Sequence, residues 1–225
     1  PAAIFGGGIF STFFITVQNY TVSEAVSAAF GIKIIYASII YMVCNYILII
    51  GGIKSLGKLA GKIVPIMCVF YVGAALYIIA INIGNLPATL ALVFKGAFTG
   101  TAAAGPFAGA AFSQVMRIGM ARSVFSNEAG WGSSPMIHAS AQTDHPIKQG
   151  LWGAFEVFID TIVVCTLTCL VIIITGVWSS GATGATLTLN AFATGMGSAS
   201  KIFIATGIFL FGVTTSSGWY TYYEI

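Results

Sequence analysis

No Asp, Glu, Lys or Arg occurs in residues 1–23, 34–53, 63–94, 161–200 or 202–223 of this 225-residue chain. A helix that crosses a bilayer needs roughly 20 mostly apolar residues, and each stretch is long enough to hold one. Charged residues make up 7% of the chain and hydrophobic ones 57%, against about 25% charged in a soluble domain. A water-facing surface cannot be built from that inventory. The abundance of Ile, Leu, Val and Phe equally excludes a disordered chain. A transmembrane barrel would alternate polar and apolar residues over segments of about ten, whereas here the apolar runs are continuous. The expected fold class is an all-α integral membrane protein.

Six spans are expected within a single transmembrane domain over 1–225, at about 3–29, 33–50, 63–82, 107–141, 150–176 and 200–224. Between them lie a linker at 51–62 with Lys54, Lys58 and Lys62, a Gly/Ala/Thr/Pro-rich connection at 83–106 with room for a short surface helix, a polar connection at 142–149, and a Gly/Ser/Thr/Ala loop at 177–199. The third span is expected to begin near Pro65, because a first helical turn tolerates proline. Positive charge favours the cytoplasmic side, which places 51–62 and 142–149 there in a multi-pass cell-membrane protein. The net charge of +3 speaks to orientation, and no basic patch points to nucleic acid. Cys44, Cys68, Cys165 and Cys169 all lie in apolar runs, where a thiol acts as a small apolar side chain. The chain opens on Pro1 and closes inside an apolar segment, so a longer polypeptide is expected around it.

The fourth span is interrupted. Ser126-Asn127-Glu128-Ala129-Gly130-Trp131-Gly132-Ser133-Ser134-Pro135 puts helix-breaking and charged residues in the middle of an apolar region. Lipid offers no hydrogen bonds, so irregular backbone at membrane depth must face protein or a water-filled cavity. Two half-helices are expected, 107–125 and 134–141, with an unwound joint near 126–134 and a cap at Ser133 or Ser134. Free carbonyls at the first end suit an ammonium or Na⁺, and free N–H groups at the second suit a carboxylate. Broken helices near the midplane are the usual site in secondary transporters. A plain Gly/Pro kink is the alternative, but a charge such as Glu128 in the membrane core costs roughly 2.5–3.5 kcal/mol.

The run Phe125-Ser126-Asn127-Glu128-Ala129-Gly130-Trp131-Gly132-Ser133-Ser134-Pro135-Met136-Ile137-His138-Ala139 resembles the sixth core helix of the sodium:alanine symporter family, the amino acid/cation symporters of prokaryotic membranes. Residues 16–25 are similar to that family's third core helix, 51–67 to its fourth-to-fifth connection, 149–176 to its seventh helix and 218–224 to its eighth. The resemblance implies a LeuT-like core of two inverted repeats, of which this chain would be core helices three to eight. It implies sodium-coupled symport of small neutral amino acids, alanine or glycine, with Na⁺ as the coupling ion and no organic cofactor. It also implies a carboxylate ligand at Gln18 and sodium ligands at Thr214 and Thr215. Trp131 stands where the family pattern has Leu or Met, which implies a narrower pocket.

The expected substrate contacts are Gln18, Phe125, Ser126, Asn127, Gly130 and Trp131. Gln18, Phe125 and the backbone around Ser126 are expected to face one central cavity. For Gln18 the alternative is an interhelical hydrogen bond. Glu128 is expected to join an ion or gate network or to receive a proton, with a structural pairing to Arg122 or another cation as the alternative. Thr214 and Thr215 have the alternative of bonding to carbonyls one turn back. Asp160 is assigned a structural role. A zinc reading of His138, His145, Asp144 and Glu156 fails on helical spacing. A protease reading of Ser133, Ser134 and His138 lacks an orienting acid. An uncoupled membrane channel or binding subunit is the alternative to a transporter.

Overall fold

The computed structural model describes the backbone of residues 2–99, 112–139 and 141–224, and the side chains of 12–220 apart from 52–56, 59, 97–115 and 140. Among these residues the structure is helical, without a strand. The principal helices are α1 (Ala2–Phe30), α2 (Ile34–Ile50), α3 (Gly52–Ile81), α4 (Leu86–Thr99), α5 (Phe112–Asn127), α6 (Ser133–Ala139), α7 (Pro146–Val157), α8 (Thr166–Ile174), α9 (Gly184–Met196) and α10 (Ser200–Glu224). A π-helical stretch, Phe158–Cys165, joins α7 to α8. Three stretches among the described residues are long and apolar enough to cross a membrane: Ala60–Ile81, Pro146–Ile174 and Ser200–Tyr220. Ile34–Ile50 is apolar but shorter.

Two connections differ from expectation. The three-lysine linker is helical, because α3 starts at Gly52 and runs on to Ile81 with Pro65 in its interior instead of its first turn. Lys, Ala and Leu are good helix formers, and none of the charged positions breaks the helix. The loop expected at 177–199 contains α9. Its Gly and Thr content hides a helical period, since Ala185, Leu189 and Phe192 are buried at spacings of four and three residues.

The chain forms two compact units, 1–74 with 183–225, and 75–182. In the first unit α1 packs along α2, α9 and α10, and α10 also packs on α2. The contact face of α2 is polar in part. Tyr41 and Asn45 are 1% and 8% exposed, while Tyr46 and Ile47 on the outer side are 67% and 62% exposed. That distribution suits an apolar solvent outside and leaves the polar groups to satisfy one another inside. Tyr41 Oη and Ser216 Oγ share a hydrogen bond of 2.6 Å. Asn45 donates to the Tyr41 carbonyl at 2.9 Å and accepts from Ser217 at 3.4 Å. Asn19 Oδ1 accepts from Ser23 and from Ser38, each at 2.9 Å. Thr186 of α9 donates to Glu24 of α1 at 2.8 Å.

Apolar contacts close the same bundle. Phe14 stacks on Trp219 with ring centroids 4.5 Å apart. Val22, Tyr41 and Val213 form a buried cluster flanked by Val26, Leu48, Ile208 and Phe209.

In the second unit α7, the π stretch and α8 follow one another as a single rod. Against it lie α6 on α7, α5 on the π stretch and α4 on α8. His145 starts the rod, its Nδ1 accepting from the Ile147 N–H at 3.2 Å, with Pro146 in the first turn.

The α1–α10 crossing depends on Gly212. A methyl added there would collide with Val22 Cγ2 and come within 3.2 Å of Tyr41 Oη. Small residues allow such close approach between membrane helices. Gly212→Ala is expected to destabilise the protein by about 1–3 kcal/mol, and Val22→Ala in the same chain to restore part of the loss. Thermal unfolding in detergent checks both; an unchanged melting temperature for Gly212→Ala would show the crossing is looser.

Candidate functional site

The interruption of the apolar chain is a five-residue turn between α5 and α6. Asn127 ends α5 by accepting the Ala129 N–H on its own Oδ1 at 3.1 Å, a local bond that competes with helix continuation. Glu128 then adopts φ 55°, and Gly130 and Gly132 each adopt φ 82°. Glycine enters this left-handed region freely. Glu128 does so at a cost of roughly 1–2 kcal/mol, and its position is held twice. Its carbonyl accepts the Trp131 N–H at 3.2 Å, and its carboxylate accepts the Ser133 hydroxyl. Glu128 is therefore tied to Ser133 and not to Arg122, which lies exposed on α5. Ser133 is the first residue of α6 and donates to Glu128 instead of capping the helix. α6 has seven residues, about two turns, with Pro135 in the first.

Asp160 and Thr161 of the π stretch brace the end of α5. Ser126 Oγ donates to Asp160 Oδ2 and lies 3.5 Å from Cys165 Sγ. Asn127 Nδ2 donates to Thr161 Oγ1 at 3.3 Å, and Thr161 Oγ1 lies 3.3 Å from Asp160 Oδ2. The rings of Phe125 and Trp131 meet edge to face across the turn, with centroids 6.1 Å apart. Phe125, Ser126, Asn127, Gly130 and Trp131 thus lie together on one short piece of irregular backbone. A π turn widens the helix locally and is frequent at functional sites. Asp160 thus holds Ser126, one of the expected substrate residues, in place. The available signal was an acid beside a threonine at the edge of the charge-free run 161–200.

The side chains weighed for zinc have other occupations. His138 takes a 2.7 Å hydrogen bond with Gln149 and lies 3.4 Å from Glu156, joining α6 to α7. Asp144 pairs with Lys148 at 2.7 Å, and His145 caps α7.

The other expected residues belong to the first unit. Gln18 is half-buried on α1, and its amide has no hydrogen bond among the described residues. On α10 the four successive hydroxyls divide by direction. Ser216 and Ser217 are buried and bonded to α2. Thr214 is half-buried and donates to the carbonyls of Leu210 and Phe211 at 3.1 and 2.9 Å. Thr215 is half-buried, with no hydrogen bond from its hydroxyl among the described residues.

Residues 2–225 match the sodium:alanine symporter family. The chain is 40% identical over 223 residues to the sodium/alanine symporter AgcS of Methanococcus maripaludis, covering 96% of this chain and 48% of that one. It is 41% identical over 216 residues to the probable sodium/glutamine symporter GlnT of Bacillus subtilis, with coverages of 96% and 44%. It is 40% identical over 204 residues to the uncharacterized transporter YflA of the same organism, with coverages of 89% and 43%. The chain spans less than half the length of these relatives.

The brace between the turn and the π stretch has a measurable consequence. Asp160→Ala removes the acceptor of the Ser126 hydroxyl, a hydrogen bond to a charged group of about 1.5–3 kcal/mol. Backbone amides of 126–131 are expected to exchange hydrogen about tenfold to a hundredfold faster in the variant, with α10 unaffected. Unchanged exchange over 126–131 would mean the turn holds its shape without Asp160.

Proposed function

We propose that this chain, which belongs to the sodium:alanine symporter family, is part of a secondary transporter that moves small neutral amino acids, alanine or glycine, together with Na⁺ by alternating access. The observation that carries the reading is the irregular turn at 128–132, set between two helices of an apolar chain and braced by a second irregular stretch at Phe158–Cys165. Backbone that leaves its helical bonds at membrane depth must line protein or a polar cavity. In a transporter such a joint supplies fixed dipoles for a zwitterion. The relatives named as sodium/alanine and sodium/glutamine symporters support an amino-acid substrate.

In this reading the chain supplies core helices three to eight of a LeuT-like inverted repeat in the cell membrane, with 51–62 and 142–149 on the cytoplasmic side. The amino acid is held by Gln18, Phe125, Ser126, Asn127, Gly130 and Trp131. Gln18 offers its amide N–H to the substrate carboxylate; that amide is half-buried and has no hydrogen bond among the described residues, which suits the role. The Phe125–Trp131 pair bounds the side-chain pocket and limits its size. Thr214 and Thr215 offer hydroxyl oxygens to Na⁺, a hard cation that takes oxygen ligands as other hard cations do. The remaining ligands lie outside this chain.

Uptake of labelled alanine into proteoliposomes containing the full-length protein tests the reading. An imposed Na⁺ gradient is expected to drive accumulation above the external concentration. Equilibration that ignores the gradient would favour an uncoupled channel instead. Gln18→Ala should weaken alanine binding about tenfold to a hundredfold, the range for a hydrogen bond to a charged group, and unchanged affinity would remove Gln18 from the site. Thr214→Val with Thr215→Val keeps the shape and removes both oxygens, so the half-saturating Na⁺ concentration should rise steeply. The same sodium dependence in the double variant would place the ion elsewhere.

A further inference from the structure

The helical course of the 51–62 segment has a second effect. It carries Lys58 and Lys62, both exposed, to the edge of the apolar stretch Ala60–Ile81. Lys54, Lys58 and Lys62 recur every four residues, so they fall on one inclined ridge of α3. The next residue along that ridge is Ile66. Ile66 opens a groove of about 270 Å³ within the first unit, lined on one side by Ile66, Phe70 and Tyr71 and on the other by Phe203, Gly207 and Leu210 of α10. Phe70 and Phe203 meet edge to face at 6.1 Å across it.

Lys62 and Lys58 thus sit one and two helical turns, about 6–12 Å along the axis of α3, before an apolar slot. Ile66 and Phe70 are 57% and 59% exposed, so the slot opens sideways. Among the described residues, neither lysine has an ion pair. One class of molecule joins a negative head to an apolar tail over this distance.

We infer that the α3–α10 groove binds an anionic phospholipid, its phosphate held by Lys58 and Lys62 and one acyl chain lying along Ile66, Phe70, Phe203 and Gly207. Lys58 precedes the span and Lys62 lies in its first turn; lysines at the end of a membrane span attract acidic lipids, and long lysine side chains reach from an apolar surface to the headgroup layer. Zwitterionic lipid shares the tails but lacks the net charge, so the site discriminates by headgroup. The interaction would fasten α3 to α10 without entering the amino-acid site.

The test uses the intact polypeptide, purified in detergent and titrated with phosphatidylglycerol or phosphatidylcholine, with bound lipid counted by native mass spectrometry. Wild-type protein is expected to retain phosphatidylglycerol in preference to phosphatidylcholine. Lys58→Gln and Lys62→Gln should each weaken phosphatidylglycerol retention by about fivefold and leave phosphatidylcholine unchanged. Gly207→Leu supplies an independent arm, since a Cβ at Gly207 meets nothing within 4 Å. It should fill the slot and displace phosphatidylglycerol with both lysines intact and the fold preserved. Equal retention of the two lipids, or charge variants that bind like the wild type, would overturn the inference. So would a Gly207→Leu protein that fails to fold, because the slot would then be occupied by polypeptide in the intact molecule.

Discussion

Every hydrogen-bonding group that this chain carries into lipid must find its partner within protein, and the interhelical polar bonds of the first unit answer that constraint. Tyr41 with Ser216, Asn45 with Ser217, and Asn19 with Ser38 connect α2 to α10 and α1 at successive turns. Individually such bonds between membrane helices are weak, on the order of 0.6 kcal/mol. Their larger effect is on register. Sliding α2 by one residue would rotate Tyr41 and Asn45 outward by about 100° and leave Ser216 and Ser217 unpaired in an apolar medium. Apolar contacts alone would not impose that penalty, since lipid tails are as apolar as leucine.

The second unit shows the same constraint at a place where the backbone itself is irregular. The turn at 128–132 leaves helical geometry on one segment, and the π stretch departs from it on the facing one. Each irregularity supplies what the other lacks. The widened helix presents Asp160 and Thr161, and the end of α5 brings Ser126 and Asn127 to them. A regular helix in either place would have no use for these polar side chains. The left-handed Glu128 is held by Ser133 in the same way, so a locally unfavourable conformation is retained because its side chain is satisfied.

How much of this the sequence discloses depends on whether a feature is local. The turn is legible because Gly130, Gly132 and Pro135 act on their own backbone through sterics, and Asn127 acts through a bond two residues away. At 51–62 and 177–199 composition and helical course disagree. Three lysines and four glycines in 51–62 look like a surface connection, yet α3 runs unbroken from Gly52 to Ile81. Ala185, Leu189 and Phe192 acquire their meaning only by packing on other helices. The π stretch is least legible of all. Phe158–Cys165 is an apolar, β-branched-rich run with no local signal for a π turn, and the polar bonds that accompany it, from Ser126 and Asn127 to Asp160 and Thr161, span thirty-four residues of sequence.

The hydroxyls of α10 show how a local bond can serve a distant one. A threonine that donates to the carbonyl a turn back looks self-sufficient, and such back-bonding is the bland alternative to ion binding. Yet a hydroxyl that coordinates a cation must turn its proton away from the ion and offer a lone pair. Thr214, with its proton directed to the Leu210 and Phe211 carbonyls, already has that disposition. Ser216 and Ser217 are instead buried and engaged with Tyr41 and Asn45. Neighbouring residues are about 100° apart on a helix, so the four hydroxyls cannot share one task. The pair engaged with α2 fixes the rotation of α10 about its axis, and that rotation determines where Thr214 and Thr215 point. In the proposed sodium role, the ligands are positioned by the two serines that take no part in ligation.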